Sequence, residues 1–428
     1  MHHISWYGAA VAALLGIKLL LSIKPRRRPR RRTAVHTPHT IHAVITVYNE
    51  TPAALRRCLQ SVLDQTRHPD SLTVIDDCSR DHTAQTVVDQ LRPAYQAAGI
   101  RLDFIRFPVN RGKREGLAAG FAAAWEADIY LCIDSDTVLD EHAVAEAAAP
   151  FARRRVHAVT GLVLAANRRR NLLTRLIDMR YQNAFLGERV AYSRLGSVLC
   201  ACGSLALYRG ATVRKHLDDF LQQRFLGRPC TFGDDRRLTY YCLLEGQSLI
   251  VPTAVAWTDV PESMRHFLKQ QTRWTKSFIR EGVLLAFKFR VTRAYWWLNL
   301  VELATWIAFT SALLVALAVM AVNPHAWTVL AWYGVYVAGA AWLRSVHYLR
   351  GAGAVPLWDR AATFLVAPVY ALMNLTLLIP LRLWALVTLR DTRWGTRQNG
   401  AEVRHDEPPT ITVPKPRLDE DTLEIPRP

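Results

Sequence analysis

"DIYLCIDSDT", residues 128–137, is an apolar run that stops on an acid, a serine and a second acid. An apolar run of this length between polar residues fits a buried strand. Asp134 and Asp136 then stand at or just past its carboxyl end. The same arrangement recurs upstream. "IHAVITVY" (41–48) is β-branched and apolar, "LTVID" (72–76) ends on Asp76 with Asp77 behind it, and "LDFIRF" (102–107) is a fourth run. Helical segments separate them. "NETPAALRRCLQSVLDQ" (49–65) has Thr51 as N-cap and Pro52 in its first turn, "HTAQTVVDQLRPAYQAA" (82–98) follows Asp81 as cap, and a third lies near 112–126. This alternation predicts an α/β domain with a mostly parallel sheet and helices on both faces. Ligands of such sheets bind beyond the carboxyl ends of the strands, so both acid pairs fall where chemistry is expected.

The rest of the 428-residue chain is of another kind. Ile4 to Ile23, Trp297 to Val322 and Ala326 to Leu343 are apolar and long enough for a bilayer, while 361–389 is apolar but interrupted by Pro368, Pro380 and Arg382. The formal charge of +18 is concentrated beside these stretches, in "KPRRRPRRR" (24–32) and at Arg290, Arg293, Arg344, Arg350 and Arg360. Such clusters mark the cytoplasmic side and anionic headgroups, and no RNA- or DNA-binding motif accompanies them, so a nucleic-acid partner is not expected. The positive-inside rule predicts an outer N-terminus, a cytoplasmic α/β domain and an outer "NPH" turn. The expected order is a transmembrane anchor (1–23), a basic linker (24–40), the α/β domain (41–262) and interfacial amphipathic helices (263–296). A transmembrane hairpin (297–343), an interfacial, re-entrant or transmembrane segment (344–397) and a disordered Pro-rich tail (398–428) follow. The seven cysteines lack metal-site spacing and read as reduced thiols; Cys200 and Cys202 are expected on one strand, too close for a disulfide.

Five motifs carry chemistry. A D-x-D at a strand end suits Mg²⁺, which takes hard oxygen ligands and shares them with substrate phosphates; the alternative is a solvated acidic turn. Asp76 and Asp77 can accept hydrogen bonds from a base or ribose. Lys113 and Arg114, in the Gly-flanked "NRGKREGLAAG" (110–120), suit phosphate oxygens, or simply an exposed basic loop. "GDDRRLT" (233–239) puts Asp234 and Asp235 at a helix start, where the N-terminus favours an ionised carboxylate able to act as general base. Arg236 and Arg237 are expected to compensate the second charge. In "QQTRW" (270–274), helical spacing puts Gln270, Arg273, Trp274 and Ser277 on one face: Arg273 for a diphosphate, Trp274 for a sugar ring, or both as a membrane-surface anchor.

In this order "ITVYNE", "DD" (76–77), "GKR" (112–114), "DSDT" (134–137), "GDDRRLT" and "QQTRW" resemble processive family-2 glycosyltransferases, in particular class I bacterial hyaluronan synthases. "NLLTRLIDMRYQNAF" (171–185), "CGSLALYR" (202–209) and "WGTR" (394–397) are similar to segments of that family. The resemblance spans about residues 41 to 397. It implies a GT-A domain (Rossmann-like) on interfacial helices and a transmembrane channel, in a bacterial plasma membrane, multi-pass. It implies nucleotide contacts from Asp76, Asp77, Lys113, Arg114, Asp134 and Arg273, with Trp394 and Arg397 closing over the nucleotide. Asp136 is implied for Mg²⁺ or Mn²⁺, Asp235 as base with Asp234 beside it, and Cys202, Gly203, Ser204, Gln270 and Trp274 for the acceptor. The implied donors are UDP-GlcNAc and UDP-glucuronate, added alternately to a growing polysaccharide that is extruded past membrane lipids. Streptococcal-type synthases begin with two transmembrane helices and this chain shows one, as do the GlcNAc-only chitooligosaccharide synthases; its long tail is also atypical. A GlcNAc-only synthase, a non-polymerising lipid-linked sugar transferase and a membrane-tethered anion-binding protein are the competing expectations.

Overall fold

A computed structural model describes residues 13, 16–22, 39–288, 291–323, 327–349 and 355–391. Strands β1 (Ile41–Val47), β2 (Ser71–Asp76), β3 (Arg101–Arg106) and β4 (Ile129–Asp134) fall on the four expected runs. They form the parallel half of an eight-stranded sheet ordered β3-β2-β1-β4-β7-β6-β10-β5. The other half comprises β5 (Val138–Leu139), β6 (Val156–Ala165), β7 (Ala206–Arg209) and β10 (Gln247–Thr258); β8 (Arg224–Phe225) and β9 (Arg228–Pro229) make a separate small hairpin. Ile41, Ala43, Val44 and Ile45 of β1 are fully buried, which is why that strand reads as an unbroken apolar run. Register decides the site: Val47 pairs with Asp76 and Thr46 with Asp134, so the carboxyl ends of β1, β2 and β4 lie level at one edge.

The flanking helices follow their local signals with one change. Helix Pro52–Leu63 is capped by Thr51, whose Oγ1 accepts from the Ala54 N–H at 3.3 Å. Helix Thr83–Ala97 has His82, not Asp81, at its N-cap position, but Asp81 Oδ1 still accepts from the Thr83 N–H at 3.0 Å. Helix Lys113–Ala123 lies tight on β1, where a Cβ at Gly120 would come within 2.3 Å of Val44 Cγ1.

Beyond the sheet come helices Leu172–Gln182, Asp234–Glu245, Met264–Lys288, Ala294–Val322, Trp327–Leu349 and Leu357–Leu365. Among the described residues one helical run, Ala367–Val387, is long and apolar enough to cross a membrane, with mean hydropathy 1.6 over 21 residues. The prolines expected to break it do not. Pro368 sits in the first turn, where a missing N–H costs little, and the π turn Asn374–Leu378 immediately before Pro380 keeps the two halves continuous. A buried ionic cluster ties these helices to the sheet. Arg168, just past β6, contacts Asp178 at 3.3 Å and Asp359 at 2.7 Å, and donates to the Tyr348 hydroxyl at 2.9 Å.

Removing this cation leaves buried Asp178 uncompensated and Asp359 with only Arg175, at 3.7 Å, which costs about 3–5 kcal/mol. Arg168→Met should therefore lower the melting temperature clearly and expose helix Leu357–Leu365 to protease. Arg170→Met, which breaks an exposed pair with Glu262, should change stability by less than about 1 kcal/mol.

Candidate active site

The acids at the strand ends have separate tasks. Asp76 is fully buried and outside the cavity lining; its carboxylate takes Arg106 Nη1 at 2.9 Å and the Ser79 N–H at 3.0 Å. It shapes the turn and, contrary to the expectation of a nucleotide contact, has no oxygen facing the cavity. Asp77 lines the cavity and accepts from the N–H groups of Arg111 (2.6 Å) and Gly112 (2.8 Å). It thereby holds the loop that presents Lys113; Gly112 turns that loop at φ +89°. Burial pushes the Asp77 carboxyl up to about 6, against the two N–H donors that favour its ionised form.

Lys113 pairs with Asp134 Oδ1 while Ser204 Oγ donates to Asp134 Oδ2 at 3.1 Å. Burial disfavours the Lys113 ammonium, but Asp134, Asp234 and Asp235 outweigh it and raise its pKa. Gly203 lies against this pair, since a Cβ there would be 3.3 Å from Lys113 Nζ and 3.4 Å from Asp134 Oδ1. Asp136 Oδ1 accepts from Thr258 Oγ1 of β10 at 3.1 Å, and Ser135 donates to Glu50 Oε2 at 3.0 Å. These contacts place both carboxylates of the D-x-D at one cavity wall.

The two acids of "GDD" part company at the first turn of helix Asp234–Glu245. Asp234 turns inward and meets Arg114 Nε at 2.8 Å, both side chains nearly inaccessible. Arg114 also donates to the Phe220 carbonyl and to Gln223 Oε1. The compensating cation thus comes from the first turn of helix Lys113–Ala123 and not from Arg236 or Arg237. Arg237 is engaged by Glu281 (3.2 Å) and Asp219 (2.9 Å), and Arg236 lies over the Phe278 ring. Arg114 and Asp234, expected at the nucleotide and in catalysis, pair with each other and line the same cavity. Asp235 faces the cavity, accepting from Cys200 Sγ at 3.4 Å and from the Arg236 N–H at 2.8 Å. Gly233 is required twice, by φ +95° and because a Cβ there would be 2.4 Å from Ser277 Oγ of helix Met264–Lys288.

One cavity of about 2190 Å³ collects Asp77, Lys113, Asp134, Asp136, Asp235 and Trp274. Cys200 reaches Asp235 and Ser204 reaches Asp134, so one irregular five-residue segment (not the expected strand) bridges the two acid sites. Cys202 and Gly203 lie between them, and Gln270 and Arg273 line the same space from helix Met264–Lys288. Trp274 is 40% exposed, with the Tyr181 ring at 6.2 Å and the Arg180 guanidinium at 5.7 Å. Trp394 and Arg397 lie outside the described residues. Sequence reasoning missed Arg106, Ser135, Thr258 and Arg180: each acts through a long-range contact that no local motif announces.

Two measurements test this geometry. Because the Asp77 value in the fold lies above the ordinary 3.8, its contribution to stability is complete below that pH and lost as pH rises through about 6. Its ionised form, however, is the one that holds the loop. The ratio of wild-type to Asp77→Asn affinity for UDP should therefore fall as pH drops through about 6, followed calorimetrically. In a double-mutant cycle, Arg114→Met alone should destabilise by about 3–5 kcal/mol. Adding Asp234→Leu should recover much of that loss.

Residues 38–277 match the model of glycosyltransferase-like family 2. The chain is 34% identical over 403 residues to hyaluronan synthase of Streptococcus pyogenes, covering 92% of this chain and 90% of that one. It is also 34% identical to an N-acetylglucosaminyltransferase of Azorhizobium caulinodans, over 84% of this chain and 87% of that one. Among solved structures, a mannosyltransferase from Pyrobaculum calidifontis in complex with GDP-Man and Mn²⁺ superposes with a TM-score of 0.57 at 19% identity, covering 86% of this chain and 98% of that one. It shares the fold. With its acid pairs on the level strand ends of a GT-A sheet, the chain belongs to glycosyltransferase family 2.

Proposed function

We propose that this chain is a membrane-embedded, inverting polysaccharide synthase that makes hyaluronan from UDP-GlcNAc and UDP-glucuronate. The observation that carries the reading is the shared cavity: Asp235 and the D-x-D carboxylates face one space, bridged by Cys200–Ser204. Asp77 and Lys113 hold the nucleotide end. Asp235, at a helix N-terminus that favours its anion, takes the proton of an acceptor hydroxyl as that oxygen attacks the anomeric carbon and the bond to UDP breaks. Arg273 stands ready for the diphosphate, and Trp274 with Gln270, Cys202, Gly203 and Ser204 for the acceptor.

Among the described residues no group of three or more His, Cys, Asp or Glu could hold a metal by itself. Asp136, a hard oxygen donor at the cavity wall, would hold Mg²⁺ or Mn²⁺. Such an ion supplies charge neutralisation to the leaving UDP. Helices Ala294–Val322, Trp327–Leu349 and Ala367–Val387 expose Val315, Trp332, Val335 and Val387, each more than 60% accessible, a surface suited to lipid. On this reading they cross a bacterial plasma membrane with the catalytic domain cytoplasmic.

Purified protein given both donors and Mg²⁺ should make a polymer digested by a hyaluronan-specific lyase, and chelation should stop it. Asp235→Asn should lower polymer synthesis by about 10²–10⁴-fold while UDP binding persists; turnover near wild type would sink the assignment. A GlcNAc-only synthase is the second reading, favoured by the equal identity to the Azorhizobium protein. Elongation with UDP-GlcNAc alone would establish it.

A further inference from the structure

The cavity continues past Trp274 into the space lined by helices Leu172–Gln182, Trp327–Leu349 and Ile379–Val387. Two arginines in this part stand out by their lack of a counter-ion. Arg180 Nη1 is buried with no hydrogen-bond partner, and its guanidinium lies at the Trp274 ring. Arg382 sits within the apolar run Ala367–Val387, where its Nη2 donates to Asn374 Oδ1 at 3.1 Å. Neither forms an ion pair among the described residues. Asp178 on helix Leu172–Gln182 is taken by Arg168, and of the cavity-lining carboxylates Glu188 and Glu302 the first is taken by Arg344.

Unpaired cations in such a place are expensive. A charged side chain on an otherwise apolar spanning helix is retained when it faces a cavity and serves a ligand or a partner. The groups are guanidinium groups, which stay charged at any working pH and grip carboxylates with two parallel donors. Their position matters as much as their charge. A sugar stacked on Trp274 has Arg180 beside it, and Arg382 lines the same continuous cavity.

We propose that Arg180 and Arg382 form an anion subsite on the exit side of Trp274, selecting a polymer that carries carboxylates over a neutral one. This rests on the polysaccharide-synthase reading and assigns its discrimination to two residues. The alternative anion, a lipid headgroup, is disfavoured because both arginines line the cavity that also holds Asp136 and Asp235.

The test uses the full-length protein in a neutral detergent, with a hyaluronan tetrasaccharide and chitotetraose as probes. Wild type should bind the anionic tetrasaccharide at least about ten-fold more tightly, with a preference that shrinks as salt rises. Arg180→Gln and Arg382→Gln should each weaken hyaluronan binding about ten-fold and chitotetraose binding less than about two-fold. Arg382→Lys should restore part of the preference, and a retained thermal shift with UDP should show an intact fold. Equal losses for both sugars, no loss, or loss of anionic-lipid binding alone would overturn the subsite. If wild type makes hyaluronan while these variants show no selective loss, only the arginine assignment fails. If wild type prefers chitotetraose and elongates UDP-GlcNAc alone, the hyaluronan reading fails with it.

Discussion

The buried pair between Arg114 and Asp234 joins the two halves of the site. Arg114 follows Lys113 at the helix start just behind the loop held by Asp77, and Asp234 precedes Asp235 at the start of its helix. Each ion is inaccessible, so neither can do without the other in a low-dielectric setting. Their contact therefore sets where the nucleotide loop stands relative to the proposed base. Adjacent carboxylates that would repel in isolation become one structural and one chemical group.

The second constraint is backbone proximity. Gly233 lets helix Asp234–Glu245 rest directly on Ser277, and Gly203 lets the Cys200–Ser204 segment lie over Asp134 and Lys113. Side chains in either place would move the walls of the cavity. Around these contacts the fold adds buried ionic groups: Arg237 with Glu281 and Asp219, and Arg168 with Asp178 and Asp359. Buried ion pairs add little net stability, but breaking one is costly, so they fix which surfaces can dock on which. Helices outside the sheet are thereby registered to it.

Family membership and geometry together narrow the chemistry. A GT-A sheet brings a nucleotide to the strand ends, and the cavity extends from there past Trp274 among apolar helices. A soluble transferase with a small acceptor has no need of that extension. A polymer does, because each added sugar must leave room for the next.

Much of this was legible in the residues. The strand runs, the helix capped by Thr51, the acid pairs at strand ends and the shared face of "QQTRW" depend on local propensity and periodicity, which neighbours in the chain carry. What could not be read locally was the pairing. That Asp76 goes to Arg106, Asp234 to Arg114, and that Pro368 and Pro380 leave a helix continuous depends on distant elements or on turn geometry. Sequence determined which groups are available at each strand and helix end; tertiary packing decided which are paired and which are left to face the cavity, because burying an unpaired charge is costly and distant elements supply the counter-ions.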